Sequence, residues 1–281
     1  LMEVITKINE MQTRVLSVRD RKKSIGFVPT MGALHDGHIS LIRSAREEND
    51  ELVVSIYLNP TQFDNSDDFD KYPRQLNKDI EIIRKENADV IFTPCTEEMY
   101  PDGFCTHVTQ DKLTDALCGG GRPGHFNGVT TIVTKLFNII DPDRAYFGQK
   151  DYQQSAIIKR LVADMNMDVD IRVCPTVREE DGLALSSRNK RLSLEDRKDA
   201  LCIHGSLQKA GAMFASNVRD AKDIVEEMTS VIKKTKQARI DYISIVNADT
   251  LEDLSSVNGK ALTAVAVWIG NTRLIDNTIL E

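Results

Sequence analysis

The strongest constraint on the fold is an alternation of short β-branched runs with helical stretches. "SIGFVPT" (24–30) reads as a buried strand and "HISLIRSAREEN" (38–49) as a helix with Ile39, Ile42 and Ala45 inward. "ELVVSIYLNP" (51–60) is a second strand stopped by Pro60, helix 75–87 puts Leu76, Ile80 and Ile83 on one face, and "ADVIFTP" (88–94) follows as a third strand. This βαβαβ rhythm predicts a doubly wound parallel sheet. Upstream, residues 2–20 carry apolar side chains at helical spacing. Downstream come a helix at 127–140, a strand at 145–147, a helix at 151–164 and a strand at 168–175. The rhythm then breaks into a charged, loop-like stretch (176–192), a long helical region (193–236) and two apolar strands (240–246 and 262–270). An α/β domain over 1–176 and a smaller α+β domain over 177–281 are the expected organisation.

Charge narrows the partners. The net charge is −7, from 36 Lys and Arg against 43 Asp and Glu, which disfavours a broad nucleic-acid surface. Anions can still bind where positive groups are concentrated locally. Five widely spaced cysteines (95, 105, 118, 174 and 202) include no CxxC pair, so neither a zinc site nor a disulfide scaffold is expected. That usage fits a reducing cytosol. No apolar run reaches the length of a membrane span and no signal-peptide core opens the chain, so a cytoplasmic protein is expected.

Several motifs carry candidate chemistry. In "TMGALHDGH" (30–38), His35 and His38 stand where a strand gives way to a helix. Ligands of parallel sheets bind at the carboxyl ends of strands, and a helix N-terminus offers unpaired N–H groups to an anion. Two imidazoles there could meet phosphate, with Gly32 and Gly37 allowing close backbone approach. Capping of the helix start is an equally good account of the pair. A zinc site is disfavoured, because His107, His125 and His204 form no cluster with them. "GGGRPG" (119–124) formally matches G-x-G-x-x-G, but the preceding "DKLTDAL" looks helical and Pro123 interrupts the pattern. A mobile glycine loop presenting Arg122 and His125 to an acid is the better reading. "YFGQKDYQQ" (146–154) sends Lys150 toward phosphate and Asp151 toward ribose or a helix cap, or leaves both solvated at a helix start. "LALSSRN" (183–189) offers two hydroxyls and a guanidinium suited to phosphate, or is a polar linker.

Their order resembles the HxGH and KMSKS-like signatures of nucleotidyltransferases. More narrowly, "PTMGALHDGH", "NPTQF", "RPGHFNGV", "FGQKDYQQ", "DGLALSSRN" and "RLIDN" closely resemble the pantothenate synthetase (pantoate–β-alanine ligase) family, from about residue 24 to 277. Gln149 departs from the glutamate common in the family, while Lys150 and Asp151 are retained. The resemblance implies a Rossmann-like domain, ATP and Mg²⁺, and a homodimer. It also implies adenylation of pantoate, followed by attack of β-alanine on the pantoyl adenylate.

By the same resemblance His35, His38, Lys150, Ser186, Ser187 and Arg188 surround the triphosphate, with His38 the proton donor. Met31, Gly32, Ala33, Leu34, Asp36, Gly37, Gly148, Gln149, Asp151, Val177 and Leu185 complete the ATP-binding set. Gln62 and Gln154 bind pantoate, with Arg122 and His125 added to the acid site. Asp79 is a metal candidate by position alone. The fragile adenylate calls for a closed pocket, for which the 61–72 loop, the 119–128 loop and the second domain are candidate lids. Another HxGH-type nucleotidyltransferase would need a phosphate-bearing second substrate. A non-catalytic nucleotide-binding module would bind ATP without turnover.

Overall fold

The computed structural model describes residues 2–63 and 66–281. Two compact units divide the chain. The first holds 1–114, 122–148 and 154–175, and the second holds 115–121, 149–153 and 176–281. Asp64 and Asn65, inside the 61–72 stretch expected to act as a lid, lie outside the described residues.

The first unit is built on six parallel strands. These are β1 (Glu3–Ile5), β2 (Ile25–Thr30), β3 (Glu51–Ile56), β4 (Val90–Phe92), β5 (Arg144–Gly148) and β6 (Asp170–Cys174), in spatial order β1-β4-β3-β2-β5-β6. Beyond the edge strand β1, the order runs outward from β2 in one direction and from β5 in the other. That reversal is the point at which doubly wound sheets bind ligands. Helices α1 (Ile8–Asp20), α2 (Asp36–Glu48), α3 (Ser66–Asp70), α4 (Leu76–Lys85), α5 (Thr96–Met99), α6 (His125–Ile140) and α7 (Tyr152–Asp164) connect the strands.

Both faces of the sheet are covered. Phe27 meets Phe137 of α6 edge to face, with ring centroids 6.3 Å apart. Its neighbour Val28 joins Leu41, Ile42 and Ala45 of α2 and Ile83 of α4 in an apolar cluster. Adjacent strand residues point to opposite faces, so strands buried on both sides read as continuous apolar runs. β3 is buried at every position, with Glu51 and Ser55 the polar residues in its otherwise apolar run.

The second unit carries α8 (Leu194–Asp199), α9 (Leu201–Ala215) and α10 (Ala221–Lys233) with an antiparallel sheet of β7 (Ala238–Asn247), β8 (Ala261–Ile269) and β9 (Thr272–Leu280). Ile203, Leu207, Ile224, Met228 and Ile232 from the helices pack with Val265, Val267, Leu274 and Leu280 from the sheet. The three-layer α/β sheet and the smaller α+β body match the predicted fold class.

Four local expectations are corrected. Residues 2–20 are not one helix, because Glu3–Ile5 pair in register with Val90–Phe92 and extend the sheet edge. The 193–236 stretch is three helices: α8 gives way to α9 at Ala200, and α9 gives way to α10 where Asn217 turns at φ 66° and Asp220 caps α10 through the Asp223 amide. A third C-terminal strand, β9, follows β8 after the two-residue turn Gly270–Asn271. Residues 111–117 form irregular turns and not a helix, and the glycines after them make a short 3-10 turn, Gly119–Gly121.

Candidate functional site

Each unit holds one group of candidate residues. In the first, the turn after β2 is set by a carboxylate from α4. Asp79, 1% exposed, accepts the amide of Ala33 at 2.9 Å and that of Leu34 at 3.0 Å. Gly32 (φ 78°) and Ala33 (φ 54°) both take the left-handed conformation there. A Cβ on Gly32 would stand 3.0 Å from an Asp79 oxygen, so glycine is needed for space as well as for backbone freedom. Thr30 completes the turn, its hydroxyl donating to Ser55 O at 2.7 Å and accepting the Gly32 amide at 3.2 Å. The amides of Ala33 and Leu34 therefore face the protein interior, and their residues reach any nucleotide only by other atoms.

His35 and His38 close the N-terminus of α2 reciprocally. Nδ1 of His35 accepts the Gly37 amide at 3.2 Å, and Nδ1 of His38 accepts the His35 amide at 3.4 Å. The rings lie 4.1 Å apart, tilted by 45°. A neutral imidazole that accepts at Nδ1 carries its proton on Nε2, so both rings present a donor away from the cap. Capping and phosphate contact use opposite edges of the same rings and are compatible.

Gln62 ends a 3-10 turn, Pro60–Gln62, and is buried. Its amide orientation follows from its neighbours. Asn59 Nδ2 donates to Gln62 Oε1 at 3.1 Å and to Gly128 O at 3.1 Å, while Asn59 Oδ1 accepts from the hydroxyls of Thr61 and Tyr100, each at 2.9 Å. With Oε1 held, Gln62 offers Nε2, which donates to Met31 Sδ at 3.0 Å. A thioether is a weak acceptor, readily replaced by a carboxylate oxygen. Burial pushes the Tyr100 phenol above its ordinary pKa, keeping it a donor to Asn59.

Arg122 and His125 join this group. His125 Nδ1 lies 2.6 Å from Gln62 O, and Arg122 Nη1 lies 3.0 Å from His125 Nε2. A carbonyl only accepts and a guanidinium only donates, so His125 is neutral with its proton on Nδ1. Gly128 lets α6 rest on the Gln62 turn, since a Cβ there would stand 2.4 Å from Thr61 O. Gln154 sits half-buried in the first turn of α7, whereas its neighbour Gln153, in the second unit, is bonded to Cys118 N and Ala116 O.

In the second unit Lys150 lies on a 3-10 turn, Gln149–Asp151, with its side chain 18% exposed and Nζ 3.6 Å from Asp151 Oδ1. A hairpin-like bridge between Arg178 and Ala184 leads into Leu185–Arg188. Ser186 Oγ accepts the Arg188 amide at 3.2 Å and starts the short 3-10 segment Ser187–Arg191. The base of this loop rests on Arg178, which pairs with buried Asp276 at 2.6 and 3.0 Å and donates to Gly182 O at 3.0 Å. Gly182 turns at φ 96°, where a Cβ would overlap the His204 ring at 2.1 Å. Burial, reinforced by Arg178, holds the His204 pKa below its usual value. Val177 and Leu185 are half-buried and share a backbone bond, Leu185 N to Val177 O at 3.0 Å.

Among the described residues no three His, Cys, Asp or Glu side chains form a metal cluster, and no helix is long and apolar enough to cross a membrane. Asp79, the metal candidate by position, has both oxygens engaged by backbone amides, so it does not fit a resident Mg²⁺. Motif reading passed over Asn59 and Tyr100, and it missed the clamping role of Asp79. Asp79 and Tyr100 act through partners distant in sequence, whereas Asn59 also bonds Thr61 and Gln62 close by, and its place at the head of "NPTQF" was the one local signal.

A parallel sheet of this order, with a histidine-capped helix entering after its central strand, defines a doubly wound α/β protein of the nucleotide-binding type. The chain belongs to the pantoate–β-alanine ligase family, whose model matches residues 3–279. It is 53% identical to a pantothenate synthetase of Thermotoga petrophila over 99% of this chain and 100% of that protein. Identity to the Moorella thermoacetica pantothenate synthetase is 51%, over 100% and 99%. Among solved structures, pantothenate synthetase from Thermus thermophilus superposes with a TM-score of 0.93 at 40% identity, covering 99% of both chains. The Francisella tularensis pantoate–β-alanine ligase, complexed with β,γ-ATP and β-alanine, gives a TM-score of 0.82 at 38% identity over 99% and 98%.

Replacing Asp79 by Asn keeps the shape but turns one acceptor into a donor aimed at an amide. An unpaired buried N–H costs about 1–3 kcal/mol. Asp79→Asn should therefore lower the denaturation midpoint and, by loosening the 31–34 turn, reduce turnover with ATP. Denaturant melts and steady-state kinetics check this, and wild-type values for both would refute the clamp.

Proposed function

We propose that the chain condenses pantoate with β-alanine at the expense of ATP, releasing AMP and pyrophosphate through an enzyme-bound pantoyl adenylate. The observation that carries this reading is the contact of Gln62 Nε2 with Met31 Sδ, 3.0 Å long. It sets an amide donor suited to an acid beside the turn that leads to His35 and His38. Adenylation needs those two functions side by side.

In the first step a pantoate carboxylate oxygen attacks the α-phosphorus of ATP, and the bond to the bridging oxygen breaks as pyrophosphate leaves. Charge accumulates on phosphate oxygens, so catalysis comes from positioning and from preorganised donors. His35 and His38, donating from Nε2 at the start of α2 where the helix dipole favours anions, serve this need. Lys150, Ser186, Ser187 and Arg188 are assigned to the same triphosphate, with Gly148, Gln149, Asp151 and Val177 toward the nucleoside. Gln62 and Gln154 hold pantoate, with Arg122 and His125 completing the acid site. In the second step the β-alanine amine attacks the acyl carbonyl and AMP departs with the electron pair of the broken acyl–oxygen bond. Mg²⁺ enters with the nucleotide, as part of the Mg·ATP substrate. A cytoplasmic homodimer belongs to the same reading and rests on family resemblance.

Gln62→Ala and Gln154→Ala should each weaken pantoate by about 1–3 kcal/mol through lost hydrogen bonds, and leave ATP largely unaffected. Substrate-dependent initial rates separate the two, and an equal loss of ATP affinity would break the assignment.

His38→Ala and Lys150→Ala should slow adenylation by roughly 10²–10³-fold, the common cost of losing one preorganised donor. Supplying pantoyl adenylate should restore most pantothenate formation, since the second step bypasses the triphosphate. Single-turnover rates of both half-reactions, alongside thermal melts, decide it. Failure of adenylate to rescue the variants would place both residues elsewhere in the cycle.

A further inference from the structure

Strand β9 contains two consecutive buried polar residues, Asp276 (3% exposed) and Asn277 (4%), in a strand whose other fully buried positions are Thr272, Leu274 and Leu280. Neighbouring strand side chains point to opposite faces, so two such residues in succession need separate partners. Asp276 takes Arg178, at the base of the loop that leads to Ser186, Ser187 and Arg188. Asn277 takes the Lys150 turn. Its Nδ2 donates to Gln149 O and to Lys150 O, both at 2.9 Å, using both amide protons on consecutive carbonyls.

A side-chain amide bridging two successive carbonyls fixes the peptide between them, because rotating that peptide would break one of the bonds. The fixed peptide joins Gln149 to Lys150, and so sets where the Lys150 side chain leaves the backbone. Gln149 Nε2 lies 3.5 Å from Asn277 Oδ1, a long contact that adds little. The Lys150–Asp151 ion pair, at 3.6 Å with Asp151 half exposed, is too weak to hold the turn alone.

We infer that Asn277 is a positioning residue for ATP, holding the Gln149–Lys150 peptide so that the Lys150 ammonium is presented to phosphate. Asp276 does the equivalent work for the Ser186–Arg188 loop through Arg178, so one strand sets the geometry of both segments. The inference rests on the proposed role of Lys150. A loosened turn leaves Lys150 chemically intact but costs affinity and rate, since preorganisation and not the charge itself is lost.

The test compares Asn277→Ala, Asn277→Asp and Leu274→Ala with wild type. The aspartate is nearly isosteric but cannot donate to both carbonyls: ionised it has no donor, and protonated it has one. Leu274, buried in the core of the same unit, is a control for general destabilisation. ATP binding is read by calorimetry without pantoate, and adenylation by single turnover. Both Asn277 variants should bind ATP about tenfold or more weakly and adenylate correspondingly slowly, with the pantoate KM within about twofold of wild type. Leu274→Ala should melt earlier yet bind ATP normally. If Asn277→Ala fails to fold, the isosteric Asn277→Asp decides. Normal ATP binding by a folded Asn277 variant, or an equal loss in Leu274→Ala, would overturn the inference. Because the binding arm needs no pantoate, failure of the ligase reading would appear separately, as absence of pantothenate synthesis by wild type.

Discussion

The first unit depends on one buried carboxylate. Asp79 accepts two successive amides from a turn that places Gly32 and Ala33 in left-handed backbone. A non-glycine residue in that region is disfavoured by about 1–2 kcal/mol, so Ala33 holds its conformation only while something offsets that cost. The two bonds to Asp79 supply the compensation. They also turn the chain sharply enough for α2 to begin directly beyond the carboxyl end of β2. At that place the strand order reverses, and a helix start with its own imidazole donors stands where an anion is best received.

The Gln62 group, proposed to bind the acid, rests on a comparable logic of full satisfaction. Asn59 has both amide protons and its carbonyl engaged, so neither it nor Gln62 can flip without stranding a buried polar atom. Gln62 is thereby committed to donating. An amide donor suits a carboxylate without itself adding charge, which accords with the proposed role. In the second unit the arginines Arg178, Arg197 and Arg273 are each held by carboxylates, so their charge is used within the fold.

What was legible in the sequence was what local chemistry encodes. The strands β2, β3 and β4 are mainly apolar because both faces are covered, with Thr30, Glu51 and Ser55 the buried polar exceptions, and the turn carrying His35 and His38 stands out by glycine and histidine spacing. The chain's departures from simple periodicity were harder to read. β1 is three residues whose strand state comes from pairing with β4, far along the chain, and no local propensity declares that. β9 was announced by the Gly270–Asn271 turn, a hairpin signal, but its buried Asp276 and Asn277 mask the apolar alternation. Asp79 was a metal candidate by position alone, with no motif around it to say what it meets. Its actual partners, the amides of Ala33 and Leu34, come within reach only once the sheet has formed.

The central claim is that an acid is activated on ATP before the amine takes part. Isotope exchange of labelled pyrophosphate into ATP, followed with pantoate present and β-alanine absent, addresses it most directly. The account predicts exchange that requires pantoate and the wild-type chain. Robust pantothenate synthesis with no such exchange would contradict an adenylate intermediate.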